Sequence, residues 1–153
     1  MNKDVMDGLF RPKAVAVVGA SSTPGKIGYT VVKKLIESKY EGKIYPINPK
    51  GGEILGFKAY PGIKDVPDSI DAAVITVPAT MVPQAVIDCG EKGVKGLIII
   101  TSGFSEVGNK DLENQIVESA NSYGMRILGP NIVGTLSNSD KLNASFAPFL
   151  PLP

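Results

Sequence analysis

Ala14-Val15-Ala16-Val17-Val18-Gly19-Ala20-Ser21-Ser22-Thr23-Pro24-Gly25-Lys26-Ile27-Gly28 carries an apolar run into a glycine-spaced turn and out again into an amphipathic segment. Five apolar residues in a row, with no polar alternation, describe a strand buried on both faces, as in a parallel sheet covered by helices. Downstream, Ile27, Val31, Val32, Leu35 and Ile36 recur at helical spacing, with Lys33, Lys34 and Glu37 on the other side. A strand, a glycine turn and a helix in that order expose backbone N–H groups and the positive end of a helix dipole at one point. That junction is where α/β proteins hold phosphate.

The 153 residues are 43% hydrophobic, enough for one domain with a core and too few for two of ordinary size. Sixteen basic residues against fifteen acidic ones leave a charge of +1 with no long run of either sign, so neither nucleic acid nor an anionic membrane surface is expected as a partner. A single cysteine, Cys89, excludes a disulfide within one chain and fits a reducing cytoplasm. No apolar run reaches the roughly 20 residues needed to span a bilayer, and the first residues lack the apolar core of a signal peptide. The absence of histidine removes histidine metal clusters, Ser/His/Asp triads and any phosphohistidine from this chain.

Apolar strands alternate with amphipathic segments along the rest of the chain. Strands are predicted at 13–18, 43–47, 72–77, 95–101 and 125–128, and helices at 27–39, 80–92 and 110–123, with one helical turn at 62–66 confined between Pro61 and Pro67. The pattern predicts an α/β fold, a doubly wound parallel sheet in three layers. Residues 1–140 form its single domain. After Gly134 the periodicity fades and Pro148, Pro151 and Pro153 follow, so the expectation is an edge strand, then an extended linker over 141–153 toward a second domain. Ligands of open parallel sheets lie beyond the carboxyl ends of the strands, so the five loops that follow the strands should converge on one crevice.

Spacing sorts the nucleotide motifs that compete for the first loop. A P-loop has four residues between its glycines and Ser or Thr after the lysine; here five residues separate Gly19 from Gly25, and Ile27 follows Lys26. The dinucleotide fingerprint Gly-x-Gly-x-x-Gly survives only in its second half, at Gly25 and Gly28. What remains is a longer, Rossmann-like turn. The hydroxyls of Ser21, Ser22 and Thr23 suit either a phosphate or the cap of the next helix.

The end of the second predicted strand is more decisive. A binder of unmodified NAD places Asp or Glu there for the ribose hydroxyls, whereas this chain has Asn48, Pro49 and Lys50. A lysine attracts a phosphorylated ribose, so two ligands fit: NADP, with a 2′-phosphate, and coenzyme A, with a 3′-phosphate. A partly shielded lysine–phosphate contact contributes roughly 1.5–3 kcal/mol.

The remaining loops are consistent with either ligand. Val77, Pro78 and Ala79, with Thr80 and Pro83 opening the next helix, make an apolar shelf for a ring or a pantetheine arm. Thr101, Ser102, Gly103, Phe104, Ser105 and Glu106 place polar groups beside glycine at a strand end, where backbone approaches ligand. Glu106 alone in a loop reads as a solvated or capping carboxylate before it reads as a general base. Gly129, Pro130 and Asn131 make a corner whose Asn131 amide either forms the turn or donates to a ligand carbonyl or phosphate.

Taken in order, these loops resemble the N-terminal domain of the nucleoside-diphosphate-forming acyl-CoA synthetases, the superfamily of succinyl-CoA synthetase α subunits and ADP-forming acetate–CoA ligases. The resemblance runs from about Leu9 to Ala147 and rests on Val18 to Gly28, Pro46 to Lys50, Val77 with Pro78, Thr101 to Glu106, Gly129 to Asn131, and Leu142 to Ala147. It implies a CoA-binding domain in which Gly19 to Gly28 and Lys50 hold the phosphates and adenosine, Val77 and Pro78 line the ligand, and the loops 101–106 and 129–131 reach toward the thiol. It also implies a ligase that joins an acyl group to CoA through acyl phosphate and phosphohistidine. The phosphohistidine-bearing and ATP-grasp domains would be its partners, and this chain would have no catalytic residue of its own. A free-standing CoA-binding protein and an NADP-binding domain are the alternatives.

Overall fold

The computed structural model describes residues 2–147, in which a short helix α1 (Lys3–Phe10) leads into β1 (Ala14–Val18), α2 (Ile27–Glu37) and β2 (Lys43–Ile47). A small hairpin of β3 (Glu53–Ile54) and β4 (Phe57–Lys58) follows, then β5 (Ala72–Ile75), α3 (Val82–Lys92), β6 (Gly96–Ile99), α4 (Lys110–Ser122) and β7 (Arg126–Leu128). A second hairpin, β8 (Gly134–Ser137) and β9 (Leu142–Ser145), completes the described chain. No helix among the described residues is long and apolar enough to cross a membrane.

Five strands form one all-parallel sheet in the order β2-β1-β5-β6-β7. Counted along the chain, the parallel strands run 2-1-3-4-5, a doubly wound order whose winding reverses between β1 and β5. Within β1 the side chains alternate between two cores. Ala14 and Ala16 join the core beneath α3 and α4, while Val15 and Val17 join the one beneath α1, α2 and β9. Both faces are covered, which is why β1 and β5 read as unbroken apolar runs. Pro46 is tolerated because β2 is an edge strand of this sheet.

Each helix carries its own boundary signals. α3 has a proline in its first turn and ends on Gly93 at φ +90°, where a left-handed residue closes the last turn. α4 begins with Asp111 and Glu113 facing the dipole's positive end. The expected turn at 62–66 is a 3-10 turn, Ile63–Asp65, and another 3-10 turn, Ala79–Met81, precedes α3.

The structure corrects the sequence reading in three places. The end of the described chain is not an extended linker from residue 141: β9 pairs with β8, and Leu142, Asn143, Ala144 and Ser145 are all buried. Leu142 and Ala144 close the core over α2, so the domain extends at least through Ser145, and residues 148–153 of that reading lie outside the described residues. Next, α1 and the β3–β4 hairpin are additional elements; Leu9 of α1, 2% exposed, packs where Gly96 leaves no room for a Cβ. Lastly, the buried stripe of α2 is narrower than its periodicity suggests, because Ile27 and Ile36 are 43% and 39% exposed.

Candidate functional site

The turn after β1 is built from two glycines that touch. At Gly28 an added Cβ would lie 2.0 Å from the carbonyl oxygen of Gly19, and at Gly19, φ +92°, it would lie 2.6 Å from Thr76 Oγ1. The first turn of α2 therefore packs directly on the end of β1, as the glycine spacing required. Gly25 serves differently: its φ is +90° and nothing lies within 4 Å of the missing Cβ.

The turn is then pinned to β2. The N–H groups of Gly19 and Ala20 donate to Ile47 O at 3.2 and 3.1 Å, and Asn48 Nδ2 donates to Ala20 O at 2.9 Å. Asn48 Oδ1 accepts from Lys50 N at 2.9 Å, so Asn48, expected at the ligand, has both ends of its amide engaged in holding the two loops together. Ala20 is likewise buried and serves the turn.

The N-terminus of α2 has no side-chain cap. Ser21 Oγ accepts from Thr23 N at 3.0 Å, closing its own turn, so none of the hydroxyls of Ser21, Ser22 and Thr23 caps α2 as one of the two readings had it. Thr30 is the first residue whose N–H reaches a carbonyl along the helix, Lys26 O at 3.1 Å, so the N–H groups of Ile27 and Gly28 have no acceptor among the described residues. Uncapped N–H groups at the positive end of a helix dipole are an anion site when a cavity faces them.

Such a cavity exists. It measures about 600 Å³ and lies between the first turn of α2 and the ends of β5 and β6. The predicted Gly19, Ser21, Gly25, Lys26, Ile27 and Gly28 form one wall. Val77, Pro78, Ala79, Thr101 and Ser102 form the other. Thr101 Oγ1 donates to Val77 O at 2.6 Å, tying the two loops of that wall to each other. A second cavity, of about 390 Å³, adjoins it beside Pro49, between the end of β2 and α3. Gly19, Val77 and Met81 line both, so the two form one groove across the point where the sheet's winding reverses.

Other predicted residues stand outside this groove. Phe104 is fully buried among the side chains under α3 and α4, and so is a core residue rather than a ligand contact. The apolar face of its loop is needed to seal that core, a demand invisible in the Gly103-Phe104-Ser105 tripeptide itself. Glu106 is folded back on its own loop. Its Oε1 accepts from the N–H of Gly103 and, at 3.1 Å, from Phe104, and these bonds hold its carboxyl below the usual carboxylate range. Ser105 is bound to Glu113 of α4. Ser22 and Lys50 are exposed and line neither cavity, and the same is true of Asn131, whose N–H donates to Thr101 O at 3.0 Å beside Pro130.

The sequence did not single out Thr76, Met81, Gln84 and Asp88, which line the groove. For Gln84 and Asp88 a signal existed, since positions i and i+4 of a predicted helix share a face. A third cavity of about 630 Å³ lies at the opposite ends of β1 and β2, near Lys13 and Lys43, and is crossed by the Arg11–Asp140 and Lys141–Glu41 ion pairs. Among the described residues no group of histidine, cysteine, aspartate or glutamate is arranged to hold a metal.

Comparison with known proteins agrees with this geometry. Residues 13–137 match the family model described as "CoA binding domain". The chain is 56% identical over 154 aligned positions to the α subunit of acetate–CoA ligase (ADP-forming) I of Pyrococcus furiosus, covering 97% of this chain and 33% of that protein. It is 54% identical over 140 positions to the acetate–CoA ligase (ADP-forming) of Methanocaldococcus jannaschii, covering 92% and 20%. In structure it resembles the apo form of dinucleotide-forming acetyl-coenzyme A synthetase 1 of Candidatus Korarchaeum cryptofilum, with a TM-score of 0.92 at 52% identity over 94% of this chain and 31% of that one. The chain thus spans a third or less of the length of these relatives. With a doubly wound sheet, a glycine turn and an uncapped helix at its switch point, and a matching model over residues 13–137, the chain belongs to the CoA-binding domain family.

Proposed function

We propose that this chain binds coenzyme A as the CoA-binding part of an ADP-forming acyl-CoA ligase of the acetate–CoA ligase kind. The observation that carries the proposal is the uncapped N-terminus of α2 opening onto the groove at the switch point. Along that groove the pyrophosphate takes the N–H groups at Ile27 and Gly28, the adenosine takes the smaller cavity beside Pro49, and the pantetheine arm runs along Val77, Pro78 and Ala79 toward Thr101 and Ser102. The exposed Lys50, next in the chain to the lining Pro49, meets the 3′-phosphate.

The chain's part in the reaction is positioning. In the proposed step the CoA thiol attacks the carbonyl carbon of an acyl phosphate, the C–S bond forms, the C–O bond to phosphate breaks, and inorganic phosphate leaves with the thiol's proton. Holding the thiol at a fixed point makes that attack effectively unimolecular. Glu106 is bound to its own loop, and with no histidine in the sequence the phosphohistidine of the proposed reaction has to come from another domain. A phosphohistidine-bearing domain and an ATP-grasp domain are the proposed partners, and the buried free thiol of Cys89 suits a cytoplasmic setting.

Calorimetric titration with CoA, dephospho-CoA, NADP and NAD tests the reading. CoA is expected to bind tightest. Because Lys50 is exposed, solvent weakens its contact to about 0.5–1 kcal/mol, so Lys50→Ala should weaken CoA about two- to fivefold and leave dephospho-CoA nearly unchanged. Binding of NADP without CoA would overturn the assignment.

A further inference from the structure

The smaller cavity is apolar on most sides, with Ile47, Pro49, Ile63, Val77, Met81 and Ala85 around it, and its hydrogen-bonding side chains come from Thr80, Gln84 and Asp88. Gln84 and Asp88 lie one turn apart on α3 and are already joined: Gln84 Nε2 donates to Asp88 Oδ1 at 2.9 Å. Lys64, from the 3-10 turn opposite, approaches the same Oδ1 at 3.5 Å and Glu91 Oε2 at 2.7 Å. The pair is thereby fixed from two elements. Among the described residues both contacts of Asp88 fall on Oδ1, which leaves Asp88 Oδ2 and Gln84 Oε1 without a donor on two residues that line the cavity.

From this arrangement we infer that Gln84 and Asp88 read the base of the bound nucleotide and select adenine by its exocyclic amino group. The inference rests on the CoA reading above and concerns what that reading leaves open, namely what recognises the base. Two acceptors side by side favour a donor, and the 6-amino group of adenine carries two N–H bonds. A purine with a carbonyl at the same position would turn an oxygen toward a carboxylate and leave that oxygen unpaired in a largely apolar pocket. The apolar walls supply affinity for any flat ring. Discrimination falls to the two polar side chains.

The experiment is titration of the chain with adenosine 3′,5′-bisphosphate and with inosine 3′,5′-bisphosphate, which share the sugar and both phosphates. The adenine compound should bind about tenfold more tightly or better, the effect of one hydrogen bond to a charged group gained and one repulsion avoided. Asp88→Asn, whose amide donates as well as accepts, should cut that ratio to about threefold or less. Gln84→Leu should also reduce it, and thermal unfolding of each variant confirms that it is folded. Equal binding of the two bisphosphates by the unmodified chain overturns the inference whatever the variants do. So does an undiminished ratio in folded Asp88→Asn. If neither bisphosphate nor CoA itself binds, the CoA reading fails and the inference falls with it; if CoA binds and the bases are not distinguished, only the inference falls.

Discussion

Replacing Gly28 with alanine separates tertiary packing from helix propensity, because the two predict opposite signs. Gly28 lies in the first turn of α2, and its φ is not among the positive values, so alanine there is conformationally acceptable and by propensity alone would stabilise the helix by up to about 1 kcal/mol. Yet the new Cβ would stand 2.0 Å from Gly19 O, 2.8 Å from Gly19 C and 3.0 Å from Ala20 Cα, all backbone atoms that cannot rotate aside. Overpacking costs about 1–3 kcal/mol, and a clash with backbone belongs at the top of that range. The net expectation is a loss of about 2 kcal/mol, which for a domain of this size lowers Tm by about 4–8 °C. Separating α2 from the end of β1 also moves the N–H groups of Ile27 and Gly28. Loss of one such bond to a phosphate should weaken CoA about ten- to a hundredfold. Thermal unfolding by circular dichroism and calorimetry with CoA measure the two effects. Gly25→Ala is the control: it meets open space, and its penalty of about 1–2 kcal/mol comes from its left-handed backbone alone. A Gly28→Ala protein as stable as the parent, or more so, would refute the packing argument, and unchanged CoA affinity would refute the role given to the helix N-terminus.

The other expectations are briefer. Leu142→Ala should destabilise by about 2–5 kcal/mol in urea unfolding, since Leu142 is 2% exposed in the core over α2, and a change near zero would return β9 to the status of a linker. Glu41, Asp68, Glu106 and Asp140 all titrate below their ordinary values because of hydrogen bonds to lysine, tyrosine, backbone N–H or serine partners. Their stabilising effect is complete above the ordinary carboxylate range and is lost as pH falls through the depressed folded values, so Tm should decline on acidification below that range and Glu106→Gln should flatten part of the decline. Burial pushes the Cys89 thiol up to about 12, so iodoacetamide should label the native chain no faster than it unfolds; rapid labelling at neutral pH would contradict the burial.

What the sequence disclosed follows from the range of the forces involved. The parallel strands were legible because burial on both faces imposes unbroken apolar runs, and Gly19, Gly25 and Gly28 because each answers a local demand, either a positive φ or a contact with the next turn. β9 was not legible. Leu142-Asn143-Ala144-Ser145 alternates apolar with polar over four residues only, the shortest stretch that signals a strand, and its polar members are buried too, so its pairing with β8 and its place over α2 are what define it. α1 is a different case: Val5, Met6, Leu9 and Phe10 do recur at helical spacing after the capping Asn2, but eight residues are too short a helix to stand alone, and it depends on Leu9 seating against Gly96.

Within the site the division runs by chemistry rather than by position. Residues that act through backbone, such as the glycines and the first turn of α2, were found at their spacing, because the backbone's role is written in the residues that permit it. Residues with side chains to place divided. Asn48 and Glu106 are polar groups near the groove, and both turned inward, one to Ala20 O and Lys50 N, the other to Gly103 and Phe104 N–H. A loop must satisfy its own donors before it presents any to a ligand, and an Asn or Glu two or three residues away is the nearest acceptor available. Gln84 and Asp88 escape that competition. Neither side chain is drawn back onto its own backbone: they are bound to each other and to Lys64, on residues that line the cavity. In this fold the loops shape the groove, and a regular helix beside it places the polar side chains of Gln84 and Asp88 along its wall.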